Sequence, residues 1–305
     1  MAITEKLLVT GFGGFVAGSV VWQALRAGNW DVYALTLDEA PRQEDNFHVI
    51  QFDLLDDTRL RQVFTQIRPK AVIHTAALAD IDYCENHPGD ATRINVGITR
   101  SLAALCAQFG ARMTVCSTDT VFDGRRGMYT ETDAPNPLNH YARTKVEAEE
   151  AVRTTLEWGV VARLSLVMGL PVVGAGNSFL AKMIDSLSRG EIVKFPANEI
   201  RTPVDVITLG KALLEIAGND FAGAIHLAGS TRLNRYQMAC KLAENLGFTA
   251  ANVIATDSNA MEGRAPRPND ASLDNTKAKA ILNTPMQPLM DGLRLVKEAK
   301  AQQNG

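Results

Sequence analysis

A doubly wound parallel β-sheet with helices on both faces, joined to a smaller α/β lobe that is discontinuous in sequence, is the fold class this sequence predicts. Three observations carry it. Short β-rich runs alternate with helical stretches through the first half, the pattern of parallel strands linked by crossover helices. A glycine-rich turn, VTGFGGFVAG, separates the first run from the first helical stretch. After Leu164 the alternation loosens into turn-rich segments before a helix–strand pair returns.

In order, KLLVT, DVYAL, HVIQF, KAVIHTA, RMTVCS and GVVARLS read as strands. SVVWQALRAG, TRLRQVFTQI, ATRINVGITRSLAALCAQFG and KVEAEEAVRTTLEW read as the helices between them. NSFLAKMIDSLSRG is a helix flanked by the turn-rich VMGLPVVGAG and EIVKFPANEIRTPVD, and ITLGKALLEIAG with GAIHLAG resembles a return to the sheet. Arg235 to Gly247 forms a further helix, with Asn234 as N-cap and Gly247 past its end. The tail from Ala265 completes the smaller lobe. The expected division is therefore 1–165 and 203–228 for the sheet domain, and 166–202 and 229–305 for the second lobe.

A chain of 305 residues can bury a sizeable core. With 31 basic and 34 acidic residues and a net charge of −3, it has no basic field for nucleic acid. Cys84, Cys106, Cys116 and Cys240 form no CxxC pair or cluster with histidine, so neither a metal site nor a disulfide framework is expected, and a reducing cytoplasm is the default. The apolar run Leu7 to Val21 is 15 residues long and holds four glycines, too short and flexible to span a membrane. A homodimer is left open.

The glycine turn is the first chemical signal. Following a strand and opening a helix, Gly11 and Gly14 provide a tight turn and close backbone approach, leaving the helix N-terminus to hold a pyrophosphate. Phe12 and Phe15 flank them as further cofactor contacts. The third glycine of the spacing is replaced by Ala17, small enough for helix–strand packing. A glycine-rich turn without ligand has the same local sequence, so other strand ends matter. FDLLD places Asp53 and Leu54 where an adenine amine could be held, and HTAALAD supplies the small residues Ala76 and Ala77 for a dinucleotide crossing the sheet edge. His74 reads as a packed strand histidine beside Val72 and Ile73. At the end of the second strand stands Thr36, which accepts either ribose form. Asp38 would repel a 2′-phosphate and Arg42 attract one, so NAD and NADP are both expected with weak discrimination.

The next signal is Tyr141-Ala142-Arg143-Thr144-Lys145. Residues four apart share one helix face, so the Lys145 ammonium is expected beside the Tyr141 phenol, drawing its pKa from about 10 toward neutrality and making it a usable general acid or base. By chance, the same spacing is an exposed helix face with a snorkelling lysine. STDTVFDG, residues 117–124, closes the preceding strand with hydroxyls and carboxylates that suit a turn or a site equally well.

Together TGFGGFVAG, HTAALADIDYCENHP, RINVGIT, STDTVFDG, YTETDAPNPLNHYARTK, VARLSLVMG, NEIRTP and RPNDASLD resemble, in order and over nearly the whole chain, an extended short-chain dehydrogenase/reductase of the dTDP-4-dehydrorhamnose reductase-like group. That resemblance implies a Rossmann-type fold, NAD or NADP as cofactor, and an NAD(P)H-dependent oxidoreductase acting on a keto group of a nucleotide-linked sugar. It also implies a catalytic trio of Thr118, Tyr141 and Lys145, with Lys145 on the nicotinamide ribose. Asn95 belongs to the site in many relatives, with a helix-bending polar residue as the plainer alternative. Ser117, Asp123 and Gly124 read as turn builders.

The substrate side is expected to include Asp119, Thr120 and Leu166. Related dehydratases carry Asp-Glu after the threonine, so Thr120 disfavours dehydration. The rhamnose-forming reductases carry Tyr at Thr120 and Trp-Val-Tyr-Gly at Leu166-Val167-Met168-Gly169, which puts their own substrate in question here. Arg264 and Arg267 of GRAPRPNDASLD, with Arg201 across the cleft, are candidates to neutralise a nucleotide diphosphate; a solvated proline-rich loop is the competing reading. Two alternatives share the resemblance: a non-catalytic dinucleotide-binding subunit similar to the regulatory subunit of methionine adenosyltransferase, and an NAD-dependent sugar-nucleotide epimerase.

Overall fold

Successive strand residues point to opposite faces, and the first strand buries both. In the computed structural model, Leu7 and Val9 join one apolar cluster and Leu8 the other. The structure describes residues 5–37, 45–174, 176–260 and 262–304. Asp38 and Arg42, the two residues expected to bias the cofactor, lie outside them.

The chain runs β1 (Glu5–Thr10), α1 (Phe15–Ala27), β2 (Trp30–Thr36), β3 (Phe47–Gln51), α2 (Asp57–Ile67), β4 (Ala71–His74), α3 (Ile81–Asn86) and α4 (Pro88–Ala91). A π-helical turn (Thr92–Gly97) then leads into α5 (Ile98–Phe109), β5 (Arg112–Thr118), a 3-10 turn (Asp119–Val121), α6 (His140–Thr155) and β6 (Val160–Leu164). Beyond it come β7 (Val167–Met168), α7 (Phe179–Ser188), β8 (Val193–Pro196), β9 (Ile200–Arg201), β10 (Val204–Asp205), α8 (Val206–Gly218) and β11 (Gly223–Leu227). The chain closes with β12 (Leu233–Asn234), α9 (Arg235–Asn245), β13 (Val253–Thr256), α10 (Thr276–Ile281) and α11 (Leu289–Asn304).

Seven strands form one parallel sheet in the order β11-β6-β5-β4-β1-β2-β3. Helices α1 and α8 bury Val20, Val21, Leu209 and Leu213 on one face. Helices α2, α5 and α6 bury Phe64, Leu102 and Val152 on the other. The strand order reverses between β1 and β4, which puts the ends of both at a switch point where such sheets bind ligands.

A third cluster, Leu180, Met183, Phe195, Met238, Leu242, Leu293 and Val296, joins α7, α9 and α11 over β8 and β13. Asn234 caps α9 through a reciprocal capping box with Gln237. Helix α11 falls in the tail for which the sequence reading names no element. Its apolar residues Leu289, Leu293 and Val296 recur at helical spacing. Gly292 lets it approach β10, since a Cβ there would lie 2.8 Å from the Asp205 carboxylate.

Candidate active site

The glycine turn is built for close backbone approach. Gly11 has φ 77°, and a Cβ on it would lie 2.8 Å from the Ala76 amide nitrogen. The Phe12 amide bonds the Leu35 carbonyl at 2.9 Å, tying the turn to the end of β2. Helix α1 begins after Gly14 with no side-chain cap, so its first N–H groups remain available to an anion.

Beside this turn lies a cavity of about 500 Å3 lined by Gly11, Phe12, Thr36, Asp53, Leu54, Ala76 and Ala77, seven of the residues expected to contact a cofactor. Leu35, Leu37, Phe52, Leu78, Arg93 and Ile94 add to its wall. Apolar walls, small residues at a strand end and one carboxylate suit an adenosine. One Asp53 oxygen is already used, accepting the Leu55 amide at 2.9 Å. Gly14 and Phe15 do not line this cavity. Phe15 packs against the second-lobe core instead, and the segment after β7 lies over the turn: a Cβ on Gly174 would come 3.2 Å from the Gly13 carbonyl oxygen. The same segment meets Gly18, where any Cβ would collide with the Val173 carbonyl.

Helix α6 starts at Asn139, whose side chain accepts the Ala142 amide at 2.9 Å and donates to the Pro266 carbonyl at 2.8 Å. Two residues on, within the first turn, the Tyr141 phenol lies within reach of the Thr118 side chain at the end of β5. Lys145 follows one turn later on the same face, buried at 4% exposure. The structure thus brings Thr118, Tyr141 and Lys145 together at the C-terminal edge of the sheet.

The expected depression of the Tyr141 pKa is corrected. Burial raises it above its ordinary value, with Asp119 and Cys84 adding to the rise and the Thr118 side chain opposing it. Burial also lowers the Lys145 pKa, and desolvation is the largest influence on the phenol itself. His74 is neutral, pushed down to about 3 by burial and by Lys145. It bonds Thr10 at 2.7 Å and Thr99 at 3.1 Å, as a packed strand histidine does.

Asp119 and Thr120 follow Thr118 directly. The Thr118 hydroxyl donates to Asp119 at 3.2 Å and lies 3.1 Å from the Thr120 hydroxyl. Burial raises the Asp119 pKa, countered by the Arg201 charge. Leu166 packs against the second-lobe core. Asn95 is engaged in scaffolding: it accepts the Leu78 amide at 2.8 Å and donates to the Leu78 carbonyl and the Thr144 hydroxyl. Ser117 is no turn builder. It sits inside β5 and donates to Glu149 at 2.5 Å.

The arginines are not an open cationic cluster. Arg201 is 4% exposed and stands between Asp119 at 3.4 Å and Glu199 at 3.7 Å, neutralised from two sides. Arg267 donates to both oxygens of Asp82, at 2.6 and 2.8 Å, and to the Ala265 carbonyl. Arg264 stands 3.6 Å from the same carboxylate. Arg264 and Arg267, with Arg125, do border an open hollow next to Gly124. Asp82 and Glu149 escaped the sequence reading. Glu149 was findable, four residues past Lys145 on the same helix face; Asp82 was not, because its partner lies 185 positions away.

Among the described residues there is no cluster of three metal-ligating side chains, and no helix is long and apolar enough to cross a membrane. The chain is 29% identical over 284 residues to methionine adenosyltransferase 2 subunit beta of Bos taurus, covering 91% of this chain and 82% of that protein. It is 29% identical over 297 residues to a probable low-salt glycan biosynthesis reductase, Agl14, of Haloferax volcanii, covering 95% and 97%. Its fold matches the dTDP-4-dehydrorhamnose reductase of Bacillus anthracis, solved with NADP, at a TM-score of 0.85 and 23% identity over 97% of this chain and 99% of that one. A hypothetical dTDP-4-dehydrorhamnose reductase from Sulfolobus tokodaii matches at 0.81 and 27%, over 95% and 99%. The family profile described as RmlD substrate binding domain matches residues 5–300. Glycine turn, strand-end threonine and Tyr-x-x-x-Lys helix all fall inside that span, and the chain belongs to this family, an extended short-chain dehydrogenase/reductase by fold.

Proposed function

We propose that this protein is an NAD(P)H-dependent reductase of a keto group on a nucleotide-linked sugar. The observation that carries the proposal is Tyr141 within reach of Thr118 with the buried Lys145 one turn beyond it, on a sheet whose glycine turn borders a cavity lined by the residues expected to hold a dinucleotide. The dinucleotide supplies the hydride when bound. Gly11, Phe12, Thr36, Asp53, Leu54, Ala76 and Ala77 hold its adenosine half, and the uncapped start of α1 at Gly14 and Phe15 receives its phosphates. Thr118 donates a hydrogen bond to the keto oxygen, and Tyr141 passes its proton to the same oxygen. The raised phenol pKa serves this direction, since an acid must be protonated at neutral pH to act. Lys145 orients the nicotinamide ribose.

In this proposal residues 1–165 and 203–228 bind the dinucleotide, while 166–202 and 229–305 bind the sugar nucleotide. Asp119, Thr120 and Leu166 border the sugar, with Arg201 behind Asp119 as its counterion. The cytoplasm is the proposed location, in keeping with four free cysteines. Relatedness to Agl14, named a probable reductase, supports the chemistry. Similarity to the methionine adenosyltransferase subunit favours a second reading, a dinucleotide-binding partner without turnover. Offering NADH and NADPH with a panel of nucleotide-linked 4-keto sugars separates the two. Oxidation of the cofactor that stops in Tyr141→Phe supports the reductase; tight dinucleotide binding with no oxidation on any sugar supports the partner.

A further inference from the structure

Glu149 is a buried carboxylate with no part in the scheme above. It lies one helical turn past Lys145 and two past Tyr141, on the same face of α6. Its oxygens accept from Ser117 Oγ at 2.5 Å, from Arg163 Nη2 at 2.7 Å, and from Arg163 Nε at 3.0 and 3.2 Å. Ser117 and Arg163 are register partners across β5 and β6, and Thr118 is the next residue along. The Arg163 guanidinium also packs 5.2 Å from the Phe122 ring, in the segment that follows Thr118. One carboxylate therefore grips the helix carrying Tyr141 and Lys145, the strand carrying Thr118, and the segment beyond it.

Stability is a poor reason for this arrangement. Both side chains are under a tenth exposed, at 7% and 9%, and desolvating two charges offsets most of their attraction. Arg163 Nη1 is even left buried without a hydrogen-bond partner, a cost that an apolar pair of the same volume would avoid. Several directional bonds to one carboxylate do supply a fixed register between helix and strand, which proton transfer between placed groups requires.

We propose that Glu149 is a positioning residue, which holds Thr118 against the Tyr141–Lys145 pair by gripping Ser117 and Arg163. This rests on the reductase reading for its kinetic consequence. A second consequence is electrostatic: the Glu149 charge favours the Lys145 ammonium, against burial, which disfavours it. The other groups facing the Tyr141–Lys145 pair are His74 from β4, Cys116 from β5, Cys84 from α3 and Asp119 from the 3-10 turn; Arg163 from β6 acts through Glu149. Glu85, Arg93 and Arg100 on the neighbouring helical segments are exposed.

Three variants test the proposal, with kinetics on an accepted keto-sugar and NMR titration of 13C-labelled lysine, the Lys145 signal being the one lost in Lys145→Arg. Glu149→Gln should lower kcat about tenfold or more, leave KM and dinucleotide affinity within about twofold, and move the Lys145 titration to lower pH. Arg163→Met, which unpairs the carboxylate, should move that titration the opposite way. Glu149→Asp keeps the charge but shortens the reach, so kcat should fall while the Lys145 titration stays put, and it decides the matter if Glu149→Gln does not fold. Unchanged kcat and unchanged titration in a folded Glu149→Gln or an unchanged kcat in Glu149→Asp, even with lowered Tm, would overturn the proposal. If the wild type reduces no sugar, the reductase reading fails on its own, and the opposed NMR shifts still decide whether Glu149 governs Lys145.

Discussion

Replacing Arg267 with alanine separates two roles for this side chain, substrate contact and structural clasp. In the structure its guanidinium bonds both oxygens of Asp82 and the Ala265 carbonyl, while Asn139, the cap of α6, bonds the Pro266 carbonyl next door. The segment is thus pinned to α3 and to the start of α6. Chiefly through the hydrogen bonds from Arg267, the Asp82 pKa is lowered from 3.8 to about 2. At about 1.4 kcal/mol per unit this is worth about 2 kcal/mol. Asp82 is 35% exposed, so solvent screening reduces the figure to about 1 kcal/mol. Lost packing of the Arg267 stem adds roughly another 1 kcal/mol. Arg267→Ala should therefore lose about 2 kcal/mol near neutral pH, a drop of a few degrees in Tm. Because the folded pKa lies below the unfolded one, the electrostatic part is fully present above about pH 4 and disappears as pH falls toward 2. Urea unfolding of both proteins at pH 7, 5 and 4 reads the stability difference, and its narrowing should begin only at the lowest of these. An unchanged midpoint at pH 7, together with a raised KM for a sugar nucleotide, would refute the clasp and restore Arg267 as a substrate ligand.

Other expectations follow from the same geometry. Tyr141→Phe should reduce turnover on the order of a hundredfold while dinucleotide affinity stays within a factor of a few, checked by steady-state kinetics and calorimetry; near-normal turnover would remove Tyr141 as the acid. Gly11→Ala forces a left-handed φ on alanine and drives its Cβ into the Ala76 backbone, so it should weaken dinucleotide binding at least tenfold. His74 and His226 are held neutral, at about 3 and about 4, chiefly by burial. Unfolding at pH 5 should then take up on the order of two protons through them, and stability should fall as pH drops below about 6.5. Proton uptake measured in two buffers of different ionisation heat checks this, and His74→Asn should reduce it by about one.

The sheet, its helices and the adjacency of Tyr141 and Lys145 on one helix face were legible in the sequence, because these rest on local signals. Strand and helix periods, a glycine turn and residues four apart on one helix face each act within a few positions. Leu7, Leu8 and Val9 announce a strand buried on both faces, and Tyr141 with Lys145 announces its own adjacency. Helix α11 went unread, although Leu289, Leu293 and Val296 recur at helical spacing. The charge environment came from packing between distant segments. Arg201 and Arg267 look alike in sequence as arginines within two residues of a proline, yet one is buried between Asp119 and Glu199 and the other clasped by Asp82. Ser117 resembles a turn serine until β6 and α6 bring Arg163 and Glu149 to it. The Tyr141 pKa goes up rather than down for the same reason. Desolvation depends on every element packed around a group, and no spacing within one helix records that.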